Sequence, residues 1–243
     1  MFITPNWNAP TRVKAYATTR VGGVSEGPYT GLNLGNHVGD SNEHVATNRW
    51  LLAQQLSLPQ PVPWLEQVHG TKVIQVPTQT QSSALTADGS YSRQSGAVCC
   101  VMTADCLPVL LCNAAGTQVA AIHAGWRGLA NGVLRNGIDR FDDPTEVIAW
   151  IGPAISQDYF EVGAEVRQRF LESIDGSQAA FVNSVNSGKY MANLPQLANL
   201  QLQSLGVLQI SMSNLCTYAE PIRFYSYRRD GQTGRQACLI WLD

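Results

Sequence analysis

Charge is scarce in this chain: Asp, Glu, Lys and Arg make up 14% of its 243 residues, and the formal net charge is −2. A chain so weakly charged has no broad attraction for a phosphate backbone or an anionic bilayer, so neither nucleic acid nor a membrane is an expected partner. Long apolar runs are missing as well, and no stretch reaches the roughly 20 residues that cross a bilayer. The opening Met1-Phe2-Ile3-Thr4-Pro5-Asn6-Trp7 lacks the basic start and apolar run of an export signal, which predicts a cytoplasmic protein. Histidine occurs only four times, so imidazole chemistry has few places to reside. Six cysteines are present, but a chain of this length with 44% apolar residues stabilises itself by core burial, and reduced thiols are expected. Cys99, Cys100, Cys112 and Cys238 have apolar neighbours and read as small core residues, whereas Cys106 and Cys216 lie in polar, turn-like surroundings.

No linker, internal repeat or heptad pattern divides the sequence, and one catalytic domain over residues 1–243 is expected. The Gln/Ser/Thr-rich run from Thr78 to Thr86 reads as an exposed loop. Asp40-Ser41-Asn42-Glu43 offers cap residues and an acidic first turn, and Val45, Trp50, Leu51, Leu52 and Leu56 supply an apolar stripe, which predicts a helix from about Asn42 to Leu56. Val13–Thr19, Ala97–Met102, Pro108–Cys112 and Thr117–Ile122 read as strands, the last two forming a hairpin around Asn113-Ala114-Ala115-Gly116. Helical spacing recurs from Leu129 to Phe141, a buried strand from Val147 to Ile151 ends at Gly152-Pro153, and helices are expected at Val162–Leu171 and Leu194–Leu205. Val207–Ile210, Arg223–Tyr227 and Ala237–Trp241 read as extended. Strands and helices are interspersed without a strict βαβ rhythm, which gives an α+β class with mixed β-sheets.

Two of the histidines end apolar segments just before glycine-containing loops, in Gln67-Val68-His69-Gly70 and Ile122-His123-Ala124-Gly125. Either alone reads as readily as a hydrogen-bonded structural imidazole. Joined by Cys106, they form a set of two imidazoles and a thiolate that leaves a fourth tetrahedral position for water or substrate, the pattern of a catalytic zinc site. Asp105, beside Cys106, is a candidate to tune a bound water, or only to orient its loop. Asp88 in Ala87-Asp88-Gly89 fits a turn. Arg127, in Gly125-Trp126-Arg127-Gly128, and Arg20, in Arg20-Val21-Gly22-Gly23, follow strands on glycine-bearing loops, as does Tyr227-Arg228-Arg229-Asp230; together they suggest a rim that receives an anion. The plainer reading is a tight turn carrying an exposed Arg, or a surface ion pair. Glu161, inside the apolar setting Phe160-Glu161-Val162-Gly163, is a candidate acid or base if burial raises its pKa.

Thr19-Arg20-Val21-Gly22-Gly23-Val24-Ser25, Asn33-Leu34-Gly35, Val38-Gly39-Asp40, Gln67-Val68-His69-Gly70 and Thr103-Ala104-Asp105-Cys106-Leu107-Pro108-Val109 follow one another in this chain. The series continues with His123-Ala124-Gly125-Trp126-Arg127-Gly128, Gly152-Pro153, Phe160-Glu161-Val162-Gly163, Cys216-Thr217, Ser226-Tyr227-Arg228-Arg229-Asp230 and Thr233-Gly234-Arg235. In this order and over nearly the whole chain, the peptides resemble the bacterial YfiH family, also called the laccase-domain or polyphenol-oxidase-like family. The resemblance implies mixed β-sheets flanked by helices, similar in part to the catalytic domain of cytotoxic necrotizing factor. It also implies zinc on His69, Cys106 and His123, and phosphorolysis of adenosine, inosine, guanosine and methylthioadenosine with an added adenosine deaminase activity. Purine nucleosides and phosphate are the partners so implied; the oligomeric state is not. The same family carries descriptions as copper-dependent phenol oxidases and as a peptidoglycan editing factor. Asn193-Leu194 departs from the Asp-Leu expected of relatives, and no role is assigned there.

Counting bears on these alternatives. A laccase needs many imidazoles for its multinuclear copper cluster, and only His37 and His44 remain after His69 and His123, although copper is able to substitute for zinc on the same three ligands. Phosphorolysis uses what is present: His69, Cys106 and His123 for the metal, and Arg20 and Arg127 for phosphate or transition-state oxygens. The remaining readings are a metal-free hydrolase with Cys106 as nucleophile and His123 or His69 as base, acting on a cell-wall precursor amide, and a zinc-stabilised binding module.

Overall fold

The computed structural model describes residues 2–59, 61–76 and 85–243. The first part of the chain supplies β1 (Phe2–Ile3), β2 (Val13–Thr18), α1 (Asn42–Leu56), β3 (Leu65–Glu66), β4 (Val73–Gln75), β5 (Leu85–Thr86) and β6 (Gly89–Ser92). The centre supplies β7 (Cys99–Thr103), β8 (Leu107–Asn113), β9 (Val119–Ala124), α2 (Trp126–Ala130), α3 (Val133–Ile138) and β10 (Val147–Ile151). The last third adds β11 (Glu161–Gly163), α4 (Ala164–Ser173), β12 (Phe181–Asn183), β13 (Lys189–Ala192), α5 (Leu194–Ser204), β14 (Gln209–Met212), α6 (Tyr227–Asp230) and β15 (Gln236–Leu242).

Two large sheets organise these elements: β1-β2-β15-β7, entirely antiparallel, and β14-β10-β8-β9-β6-β4, which mixes parallel and antiparallel pairs. Because side chains alternate across a strand, each sheet feeds two cores. Along β8, Leu107, Val109 and Leu111 face helices α2–α5, while Leu110 and Cys112 face the other sheet. Along β15, Cys238, Ile240 and Leu242 meet them there, and Leu239 and Trp241 turn outward under α1 and its Leu52. The result is a layered α+β domain, helices on sheet on sheet on helix, as expected from the sequence. Among the described residues no helix is long and apolar enough to cross a membrane.

The β8–β9 hairpin forms where the turn residues indicate, with Asn113 Oδ1 accepting from the N–H groups of Thr117 (2.8 Å) and Gln118 (2.9 Å). Helix α1 spans the expected residues, but its inner face is Val45, Asn48 and Leu52; Trp50 is 60% exposed. The helix expected through Leu129–Phe141 is broken into α2 and α3, because Gly132 at φ 91° takes a left-handed conformation between them. Val162 starts in a strand, β11, and helix α4 begins only at Ala164. Arg223–Tyr227 forms no strand; its segment is a turn that leads into α6. Most of the loop expected at Thr78–Thr86 lies outside the described residues, while Leu85–Thr86 pairs with Leu65–Glu66 as β5.

Candidate metal centre

Three connections bring the reactive residues to one end of the six-stranded sheet. His123 is the penultimate residue of β9, paired with Pro108 of β8. Cys106 occupies the crossover from β7 to β8, one residue before β8 begins. His69 lies between β3 and β4 at φ 60°, and its loop is tied to β7 by Gln67, whose side chain accepts from Met102 N (2.7 Å) and donates to Met102 O (2.8 Å). Cys106 Sγ stands 3.7 Å from His69 Nε2, and the two imidazoles meet edge to face at 4.9 Å between centroids. The three donor atoms all lie within 4.8 Å of one another, the one such His/Cys/Asp/Glu group of metal-binding spacing among the described residues.

Tetrahedral zinc bonds of about 2.0–2.3 Å set ligand atoms about 3.3–3.6 Å apart, so a small inward movement of the rings completes the set. Gly125 leaves room for it: a Cβ at that position would stand 2.7 Å from His69 Cδ2, 3.3 Å from Cys106 Sγ and 3.5 Å from His123 Cε1. The donor set therefore fits a metal ion.

Asp88 organises two of the three side chains. Gly89 of β6 pairs with Ile122, which puts Asp88 opposite His123 in the ladder, and His123 N donates to Asp88 O at 2.7 Å. The fully buried Asp88 carboxylate lies 2.8 Å from His123 Nδ1. It also accepts from the N–H groups of His69 (2.9 Å), Gly70 (2.7 Å) and Val68 (3.3 Å), which fixes the tight turn that carries His69. One carboxylate thus holds the tautomer and orientation of one imidazole and the backbone of the other. The turn role expected of Asp88 is the smaller part of what it does.

The electrostatics follow from this packing. Burial alone would push the Cys106 thiol up, but hydrogen bonding and positive charge from His123, then from His69, outweigh it and bring the pKa down to about 6. Burial would lower the His123 pKa, yet Asp88 and the Cys106 sulfur raise it to about 9. Before any metal enters, sulfur and imidazole form a thiolate–imidazolium pair.

The other expected site residues are distributed around this centre. Asp105, at φ 90°, accepts from Thr217 Oγ1 (2.6 Å) and from Arg228 N (2.6 Å), while its carbonyl accepts from Ile155 N (3.0 Å). Its carboxylate therefore clamps the loop before Cys106 to two C-terminal segments. The Arg20 guanidinium donates to Thr30 O and Pro221 O and lies over the Tyr225 ring at 4.6 Å. Arg228 donates through Nη1 to the carbonyls of Tyr159 and Glu161, and Arg229 donates to those of Thr217, Tyr218 and Phe224 and to the Asp230 carboxylate. Arg127 stacks on Trp126 at 4.5 Å and lines a 300 Å³ pocket with Asn131, Glu165 and Arg169. Glu161 corrects the expectation of a raised acid: Asn186, Ser184 and Lys189 donate to its carboxylate and lower its pKa. Asn193 caps α5 by accepting from Gln196 N at 3.0 Å. All six cysteines are free.

Comparison with known proteins adds to this geometry. A family model described as multi-copper polyphenol oxidoreductase laccase matches residues 14–243. The Escherichia coli (strain K12) protein named purine nucleoside phosphorylase YfiH is 50% identical over 241 residues, covering 99% of this chain and 98% of that one. A Haemophilus influenzae protein named purine nucleoside phosphorylase is 48% identical over 243 residues, covering 99% of each. Among solved structures, a Neisseria meningitidis protein superposes with a TM-score of 0.95 at 49% identity, covering 100% of this chain and 99% of that one. A Bacillus licheniformis protein titled hypothetical protein YfiH superposes at 0.91 with 31% identity, covering 95% and 93%.

Proposed function

The chain belongs to the YfiH family, whose model is described as a multi-copper polyphenol oxidoreductase laccase, and we propose that it is a zinc-dependent purine nucleoside phosphorylase with adenosine deaminase activity. The observation that carries this reading is the convergence of His69, Cys106 and His123 on one metal-sized space in a chain about half identical to proteins named purine nucleoside phosphorylase. Bound there, zinc would supply a Lewis acid with an open coordination position.

The chain's own residues supply the rest. Cys106 enters as a thiolate, and Asp88 holds His123 through Nδ1 so that Nε2 is left to bind. Asp105 keeps the Cys106 loop in place through Thr217 and Arg228. Of the two rim arginines, Arg127 is the one free to take up an anion, since its guanidinium donates no hydrogen bond among the described residues; Arg20 braces the loops of Thr30 and Pro221. Deamination would use the same centre, with water in place of phosphate as nucleophile.

Laccase chemistry is disfavoured by the residues present. His44 of α1 pairs with Asp40 at 3.8 Å, and neither it nor His37 belongs to the metal-spaced group among the described residues. A second reading is favoured by the thiolate–imidazolium pair itself: a metal-independent amide hydrolase with Cys106 as nucleophile and His123 as acid–base.

Incubating metal-defined protein with adenosine, with and without phosphate, separates these readings. Adenine and ribose 1-phosphate are expected in phosphate and inosine without it, both lost on chelation. No free base from adenosine, inosine or guanosine at any phosphate concentration would overturn the phosphorylase reading. Cleavage of a muropeptide amide that depends on Cys106 and survives chelation would establish the second.

A further inference from the structure

We infer that Arg235 and Thr233 form an oxyanion subsite on the Cys106 side of the metal centre and that its ligand is inorganic phosphate. The inference rests on the phosphorylase reading and adds to it phosphate-holding residues besides Arg127. Gln236, the first residue of β15, pairs with Thr103 of β7, so Arg235 leaves the β15–β7 ladder at the same end from which β7 runs on to Asp105 and Cys106.

The Arg235 backbone is locked into the Asn33-Leu34-Gly35 loop. Its N–H donates to Asn33 Oδ1 (2.8 Å), and its carbonyl accepts from Leu34 N (3.1 Å). Gly35 makes way for the side chain, since a Cβ there would stand 2.8 Å from Arg235 Cγ. The loop is shaped to the arginine stem, which an incidental surface residue does not require.

The polar end is underused. Nη1 donates to Thr233 O (3.0 Å) and Gly234 O (2.9 Å), and Nε and Nη2 donate to nothing among the described residues. Among the described residues no carboxylate makes an ion pair with this half-buried guanidinium. Beside it, Thr233 is 2% exposed and its Oγ1 has no hydrogen-bond partner among the described residues. Buried polar atoms left unpaired are costly, and a group of donors without an acceptor is what an anion repairs. Cys106 and Asp105 are the negative charges that act most strongly on Arg235, and its own charge, with that of Arg49, helps to lower the pKa of desolvated His37. An organic phosphate would present the same oxygens, and competition against inorganic phosphate tells the two apart.

Calorimetric titration of the zinc-loaded protein with inorganic phosphate is the test, read beside the phosphate KM of adenosine phosphorolysis. Arg235→Gln is expected to weaken phosphate binding and raise that KM by about ten- to a hundredfold, Thr233→Val to do so several-fold, with zinc content and adenosine KM held near wild type. Arg235→Lys should restore part of the affinity. In the unaltered protein, phosphate should shield Arg235 from phenylglyoxal, read by peptide mass, which needs no variant to fold. Wild-type phosphate affinity in Arg235→Gln, or modification of Arg235 unaffected by saturating phosphate, would overturn the inference while leaving the phosphorylase reading intact. Failure of the unaltered protein to bind phosphate or release base would sink both.

Discussion

Cys106 carries its charge differently from the cysteines packed inside the sheets. Burial pushes the Cys99 and Cys112 thiols up to about 12 and also raises Cys100 and Cys238, whereas Cys106 comes down to about 6 because two imidazoles face it. In metal-free protein the rate of Cys106 alkylation by iodoacetamide should be level at pH 7–9 and fall as pH drops through about 6, with zinc suppressing it throughout. A rate still climbing between pH 8 and 9 would contradict the pairing. The stability linkage has two opposed parts. The depressed Cys106 pKa gives a contribution complete above the unfolded thiol value and lost as pH falls through about 6, while the raised His123 pKa gives one complete below about 6.5 and lost as pH rises through about 9. Between these limits the slopes cancel, so the pair adds little pH dependence to stability near neutrality. Asp88 sustains the arrangement. Asp88→Asn keeps one acceptor oxygen, enough for the N–H of His69 or that of Gly70 but not both, and removes the negative charge facing His123, and zinc affinity measured by chelator competition should fall by about ten- to a hundredfold. Unchanged affinity would mean that His123 orients itself.

At the scale of elements, two glycines close together in sequence illustrate what the chain makes legible and what it hides. Gly132 breaks the predicted helix by its φ of 91°, and a Cβ there would meet only Arg135 Cβ, at 3.9 Å. Gly132→Ala should therefore cost only the backbone strain, about 1–2 kcal/mol in denaturant unfolding, with zinc binding untouched. Gly125 has an ordinary extended conformation at φ −60°, ψ 155°, but its Cβ would press on His69, Cys106 and His123. Gly125→Ala should leave the melting curve of metal-free protein nearly unchanged and abolish tight zinc binding. The reverse pattern in the two variants would refute this division of roles. Periodicity and turn chemistry found α1, the β8–β9 hairpin, β10 and α5 because each is specified by residues close in sequence. His69, Cys106 and His123 were visible as reactive types at the ends of apolar segments. Asp88 was not, since its partner lies 35 residues away across the β6–β9 ladder. Arg223–Tyr227 misled for the same reason: its apolar content serves tertiary burial of Phe224 and Tyr225, not a ladder. Arg20 reads as an anion ligand on its own loop, and only the fold shows its donors spent on the carbonyls of Thr30 and Pro221.

On the scale of the whole molecule, the centre joins parts that the hydrophobic cores hold separately. Cys106 lies on the crossover from β7, in the four-stranded sheet, to β8, in the six-stranded one; His123 ends β9 and His69 hangs from the β3–β4 connection. A metal bound to all three would link the two sheets and the loop that spans them. The three apolar clusters contain none of the ligands, so the chain should fold without metal, unlike a zinc finger whose core depends on the ion. Binding that is confined to the folded state adds RT ln(1 + [Zn]/Kd), about 2.7 kcal/mol at a hundredfold excess over Kd. For a domain of this size that corresponds to a rise in Tm of roughly 5–10 °C. Scanning calorimetry of metal-free protein titrated with zinc should show this rise, with the shift absent in Cys106→Ala and the metal-free transition still cooperative. If chelation unfolds the protein at room temperature, the metal is part of the core and the separation of scaffold from site fails. If zinc leaves Tm unchanged in the native chain but Cys106 still alkylates as a low-pKa thiolate, the centre is a metal-independent Cys–His pair, and the hydrolase reading takes its place.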